Sequence, residues 1–244
     1  MDYLRRNGLK VGRLYEVRLI KSRRKEVRRV LDLCRDWGDP SQWAGVIDDH
    51  LSEGYLYDWY RGLYVDAGLP RAKSQARDLS RGKATPTEDY WMSELERYAE
   101  ERAGSEILMV QGTFRESLVG IVRDTMVAHP EMGVEKLART IMQEYGKIAI
   151  WQARRIAQTE TMIGLADAGN MAARSLDIPF RKQWAISGLG NTRDTHAVMD
   201  GVIVDMDEPF ELEDCLMQYP HDGSMGAPAG EIINCACDVL RLNI

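Results

Sequence analysis

The chain has 244 residues, 44% of them hydrophobic and 29% charged, and a net charge of −6. That composition is ordinary for a globular protein of one large or two modest domains, and no apolar run is long enough to cross a bilayer, so no membrane partner is expected. Four cysteines, Cys34, Cys215, Cys235 and Cys237, are too few for a disulfide scaffold and point to a reducing compartment.

The average charge hides an asymmetry. The first 30 residues hold 11 Lys+Arg and 3 Asp+Glu, a charge of +8, and the remaining 21 basic and 35 acidic residues carry −14. A basic arm on an acidic body suits a polyanion or an acidic protein surface. No apolar segment follows these early basic residues, so a secretory signal is not expected.

In chain order, the spacing predicts a helix over residues 13–35, with Val27, Val30, Leu31 and Cys34 on one face and Arg23, Arg24, Arg28 and Arg29 elsewhere. Gly38-Asp39-Pro40 should end it. Two shorter helices are expected over 41–51 and 55–65. Residues 70–86 are basic and polar without apolar periodicity and read as a loop or linker. Thr87 is a candidate N-cap for a helix to about residue 102, and Ser105 for the next, which His129-Pro130 should stop. Further helices are expected from residue 134 and over 147–175, the latter interrupted or ended near Gly164 or Gly169. After Pro179 the pattern changes. Residues 180–186 alternate like a strand containing Trp184, residues 188–191 read as a turn, and 202–204 and 238–242 are short strand candidates. Residues 219–230, with Pro220, Gly223, Gly226, Pro228 and Gly230, read as an irregular loop. The predicted class is α+β, a predominantly helical body with a small mixed C-terminal lobe containing short β-strands. The expected domains are a basic helical arm (1–36), a helical region with a basic loop near 70–86 (37–130), and helices followed by a β lobe (131–244).

The chemistry concentrates in the last quarter. Arg193-Asp194-Thr195-His196, Met199-Asp200-Gly201 and Asn234-Cys235-Ala236-Cys237 supply one imidazole and two thiols. His196, Cys235 and Cys237 are candidate ligands for zinc, which accepts nitrogen and sulfur in a tetrahedral shell. Cys215, His221, Asp194 or Asp200 could be a fourth ligand. In a strand, Cys235 and Cys237 would face the same side. The alternative is a packed lobe core of small buried cysteines and a histidine bonded to a turn. Asp200-Gly201 and Arg193 fit turn architecture. Thr159 and Glu160 either tie a helix to the lobe or lie on a solvated face. The acidic run from Asp205 to Asp214 lacks calcium-loop spacing and reads as solvated. His196-Ala197-Val198 with Cys-x-Cys does not fit the zinc-deaminase pattern, and the chain has no nucleotide-binding glycine fingerprint, Walker A sequence or Gly-x-Ser-x-Gly elbow. No catalytic residue is assigned.

The order Arg-x-x-His-x-x-Met-x-Gly, a Gly/Pro loop, then Asn-Cys-x-Cys resembles the phage Mu F-like minor head (head morphogenesis) proteins. The likeness runs over residues 133–242, through Ala157-Gln158-Thr159-Glu160, Asn170, Trp184, Arg193, His196, Gly201, Pro228, Cys235 and Cys237. Gln158 and Ala236 stand where the family usually has arginine. The resemblance implies a non-enzymatic minor head protein near the portal vertex inside the virion, assembled in the cytoplasm of a bacterial host. Its partners would be the portal protein, the major capsid or scaffold protein, and packaged double-stranded DNA. Thr159, Glu160, Trp184, Arg193, Asp200, Gly201 and Asn234 would shape the lobe. Arg5, Arg6, Lys10, Arg23, Arg24, Lys25, Arg28 and Arg29 would meet DNA phosphates or the portal, the remaining possibility being a solvated helix face. Arg71, Lys73, Arg77, Arg81 and Lys83 could extend that patch. The alternative activity is a zinc-dependent hydrolase or nuclease carried in the virion.

Overall fold

A computed structural model describes residues 2–187 and 192–244, with the backbone alone for residues 2–9. The described residues form the α-helices α1 (Asp2–Trp37), α2 (Trp43–His50), α3 (Gly54–Ser80), α4 (Glu88–Ala128), α5 (Val134–Arg174), α6 (Asp194–Ala197) and α7 (Ala229–Ile232), and the strands β1 (Phe180–Ala185), β2 (Ile203–Asp205), β3 (Phe210–Glu211), β4 (Leu216–Met217) and β5 (Asp238–Asn243). The fold is α+β and mostly helical, as expected. The turn expected at 188–191 lies outside the described residues, as do the side chains of Arg5 and Arg6. Among the described residues no helix is long and apolar enough to cross a membrane.

Local chemistry sets several boundaries. Gly38, at φ +82°, takes the left-handed conformation that closes α1, and its N–H bonds Cys34 O at 3.2 Å. Thr87 Oγ1 accepts from Tyr90 N at 3.3 Å, capping α4 as expected. Other boundaries differ from expectation. Helix α3 runs through Pro70 to Ser80, where a loop was expected. Its buried face there is Ala72, Ala76 and Leu79 together with Arg71, Gln75 and Ser80, so it lacked the large apolar residues that mark periodicity. Arg71 is therefore buried and is no part of a surface patch. Helix α4 continues past Ser105, whose hydroxyl bonds Arg102 O within the helix. Helix α5 continues past Gly164 and Gly169. Those glycines allow close approach: a Cβ on Gly164 would sit 3.2 Å from the Tyr64 ring, and one on Gly169 2.8 Å from Arg241 Nη1.

The chain forms two compact units, and α1, α3, α4 and α5 each contribute to both. Unit 1 comprises Met1–Arg13, Gly62–Tyr98 and Arg155–Ile244, and unit 2 Leu14–Arg61 and Ala99–Arg154. Unit 2 is helical. Val27, Val30, Leu31 and Cys34 of α1 pack with Trp43, Val46 and Ile47 of α2, Phe114, Leu118, Ile121 and Val122 of α4, and Leu137, Ile141, Tyr145 and Ala149 of α5. Each set repeats at three- and four-residue steps, the stripe a helix needs to bury one face. Lys10, Arg24, Lys25, Arg28 and Arg29 are exposed on α1, and Arg29 pairs with Glu26 at 2.6 Å. Arg23 is not exposed: it is 1% accessible. It falls four residues before Val27 and seven before Val30, on the stripe that faces the core, so its assignment as a DNA or portal contact is corrected.

Unit 1 combines helix segments with the lobe. Ala72, Ala76, Ala168 and Ala172 are small enough to let α3 and α5 close around Trp91 and Leu95 of α4. The sheet order is β2-β1-β5, all antiparallel, with Gln183 opposite Ile203 and Trp184 opposite Val239. Strands β3 and β4 form a separate antiparallel pair, Phe210 opposite Met217. Strand β1 alternates, turning Phe180, Lys182 and Trp184 inward. Trp184, Met199, Phe210, Leu212, Met217, Cys235, Cys237 and Val239 make the lobe core.

Candidate metal centre

The lobe brings together the three residues whose donors are soft. His196 sits on the single turn of α6, with Arg193 at its N-cap. Its Nδ1 lies 3.5 Å from Cys235 Sγ and 3.5 Å from Cys237 Sγ. All three donor atoms fall within 4.8 Å of one another, and His196, Cys235 and Cys237 form a group able to hold a metal ion. The cysteines stand just before β5, which begins at Asp238 as the 238–242 strand candidate had it, so strand alternation does not turn them to one side. Instead Asn234 adopts φ +58°, turning the chain just before Cys235, and the Cys237 N–H bonds Cys235 Sγ at 3.4 Å.

Neighbouring residues aim these donors. His196 Nε2 lies 2.8 Å from Glu231 Oε2, a close contact bent too far for a full hydrogen bond, and Thr195 Oγ1 donates to the same oxygen at 3.0 Å. A carboxylate behind the imidazole fixes the ring and leaves Nδ1 for a metal. Trp184 packs edge-on against the His196 ring with centroids 5.2 Å apart, and against Phe210 at 5.3 Å. Gly201, at φ +81°, returns its N–H to Trp184 O at 2.9 Å, and Asp200 Oδ1 accepts from Ile186 N at 3.1 Å. Arg193 donates to Ile233 O. Thr159 Oγ1 of α5 accepts the Asn234 N–H at 3.1 Å and so ties the helix to the cysteine turn. Glu160 instead accepts from Tyr64 of α3 at 2.9 Å. Of the candidate fourth ligands, none joins the group among the described residues. His221 Nε2 bonds the Cys237 carbonyl at 3.0 Å, Asp194 and Asp200 are exposed, and Cys215 is half-buried. Glu231 was missed, because a lone glutamate after a Gly/Pro loop carries no sequence signature.

The two thiols are electrostatically unequal. Cys237, followed by its own backbone N–H and the Arg193 charge, holds Cys235 below the usual thiol range. The same contact with Cys235, then burial, pushes Cys237 well up. Loading a divalent ion would displace whatever protons the two thiols hold. Two thiolates and a neutral imidazole would cancel a +2 charge, which suits a site where His196, Cys235 and Cys237 are 1%, 2% and 4% exposed.

A second titratable group lies in the lobe. Lys182 is 1% exposed and donates to Gln218 O and Oε1, both at 2.9 Å. Burial, then the charges of Arg174 and Arg241, pull its amine from 10.5 down to about 8. Between pH 8 and 10.5 the unfolded chain binds the Lys182 proton and the folded one has lost it, so raising pH favours the folded state. Wild-type stability measured against Lys182→Met by urea unfolding is expected to climb through that window, by at most about 1.4 kcal/mol per pH unit. It should stay level below pH 8. A parallel pair of curves would show that Lys182 is not buried as an amine.

No family model matches the chain, and no solved structure matches it. Over 113 aligned residues it is 32% identical to the NAD(+)--arginine ADP-ribosyltransferase EFV of Enterococcus faecalis, a similarity covering 41% of this chain. The chain spans 23% of that relative's length. This likeness overturns two expectations from the sequence: the role of a portal-associated minor head protein, with its hydrolase alternative, and the absence of an enzymatic function. The motif residues that suggested the first role shape a lobe, and a lobe can be shared by proteins of different activity.

Proposed function

We propose that this chain is a zinc-centred domain that serves NAD+-dependent ADP-ribosylation of arginine. One observation carries the metal part: an imidazole nitrogen and two sulfurs, all buried, converge within 4.8 Å. A donor set of nitrogen and sulfur favours zinc over magnesium or calcium. His196, Cys235 and Cys237 would hold the ion, Glu231 would orient His196, and a water or other small donor would complete four ligands. Bound zinc supplies a cross-link between α6 and the turn before β5. The burial of its ligands supports a structural role over one in the transfer itself.

The transferase part is supported by the similarity to the Enterococcus protein. Transfer of this class breaks the nicotinamide–ribose bond of NAD+, joins the ribose carbon to a guanidinium nitrogen, and releases nicotinamide and a proton. The kinship with Mu F-like proteins is kept in one form, as common descent of the lobe. It is supported by the placement of Thr159, Trp184, Arg193, Asp200, Gly201 and Asn234 around a single centre.

The test is nicotinamide release from NAD+ by the zinc-loaded full chain, with agmatine as the guanidinium acceptor. Acceptor-dependent release, with the conjugate seen by mass spectrometry, is the expected result. A folded, zinc-loaded chain that releases none above the blank sinks the transferase part and leaves the metal centre to its own measurement.

A further inference from the structure

Within unit 2, helix α4 presents two different faces. Ile107, Phe114, Leu118 and Ile121 turn inward and are buried. On the opposite side Met109, Gly112, Glu116, Gly120, Arg123 and Val127 recur at steps of three and four, so they share one outward line. Met109 and Val127 are 60% and 78% exposed. Glu116 and Arg123 are exposed opposite charges without an ion pair among the described residues. The positions three and four away from each hold only glycine, threonine, valine or methionine, so the helix offers neither a partner. Arg115, by contrast, lies 3.7 Å from Asp48. A Cβ on Gly112 or Gly120 would meet no atom within 4 Å beyond the helix's own backbone. Glycine is disfavoured in a helix interior, and nothing in the chain uses the space that these two leave.

The line is complementary to itself. Gly120 stands four residues after Glu116 and three before Arg123, and eight after Gly112 and seven before Val127. An antiparallel copy of the helix laid across Gly120 therefore brings Glu116 level with the partner's Arg123, and Val127 level with the partner's Gly112. Because a two-fold axis repeats every contact, opposite charges meet on both sides of the crossing and an apolar side chain fills the space above a glycine on both sides. Gly120, at the crossing itself, lets the two backbones approach closely. A parallel copy would set like charge against like charge at both positions, which disfavours it. A polyanion would select a face of one sign, and this face carries both. We propose that this face of α4 is a two-fold interface on which a second copy of the chain docks, helix against antiparallel helix, with the Glu116 and Arg123 charges fixing the register.

The experiment is sedimentation velocity of the full chain over a range of concentrations, with charge-reversal variants. The wild type should pass from monomer to dimer as concentration rises. Glu116→Arg and Arg123→Glu each place like charges at both contacts and should weaken dimerisation by roughly tenfold or more. Both positions are exposed, so each variant should keep the wild-type circular dichroism and Tm as a monomer. Mixed together, the two variants should form a heterodimer, because one chain then offers two cations and the other two anions. The double variant, with its charges exchanged, should dimerise as the wild type does. A wild type that stays monomeric overturns the proposal. So does a dimer that both single variants form as well as the wild type, or a mixture of folded variants that does not recover the association.

Discussion

The full chain is expected to carry one zinc ion per molecule, and Cys237→Ala or His196→Ala to lose it. Each variant removes one of three donors that the chain supplies. The consequence should exceed that of Glu231→Gln, which alters only the orientation of His196 and should weaken zinc binding about 10–100-fold. Metal content by mass spectrometry, with a competition titration against a chromophoric chelator, measures both. Because structural zinc sites couple binding to folding, chelation should also expose Trp184 to solvent, visible as a red-shifted emission. Acidification should weaken binding, since both thiols must be deprotonated and Cys237 holds its proton tightly. A chain that holds no zinc, and whose Cys237→Ala variant differs only in stability, would make the cluster an ordinary packed core.

The second large effect is expected from Trp184→Ala. Trp184 is fully buried and packs against both His196 and Phe210. Its removal deletes the largest side chain of the lobe and leaves a cavity that a small three-stranded sheet cannot refill. The expected loss is about 3–5 kcal/mol, by urea unfolding of the zinc-loaded chain. Zinc affinity should fall with it, since the His196 ring loses the wall that sets its angle. Trp184→Phe should recover most of the stability. A loss below about 1 kcal/mol would mean that the lobe is held by its metal and not by its core.

The donor chemistry of the centre was legible because imidazole and thiol side chains are few, and their types announce soft-metal binding wherever they converge. The way they converge was not legible. A strand was the simplest way to turn Cys235 and Cys237 to one side, yet a left-handed residue at Asn234 does it with no strand. Glu231 and Thr159 support the site from different elements, and neither has a fixed spacing to the ligands. Residues 70–80 misled for the opposite reason. Proline and polar residues suggested a loop, but alanines spaced by four, with Arg71 and Gln75 bonded inside unit 1, make a buried helix. Arg23 shows the same conflict: its position in the helical repeat is a core position, and its charge pointed outward.

The sequence alone determined the helical segments outside residues 70–80, their periodic apolar faces, the strand after Pro179 and the chemical identity of the ligands. These follow from local backbone preference and from the side chains themselves. Tertiary structure decided which residues share a centre, which charges are buried, and that two units are assembled from segments distant in the chain. Such choices depend on packing between residues 39 and 41 positions apart, as for His196 with Cys235 and Cys237. No local periodicity encodes a contact of that range, because it exists only after the intervening chain has folded.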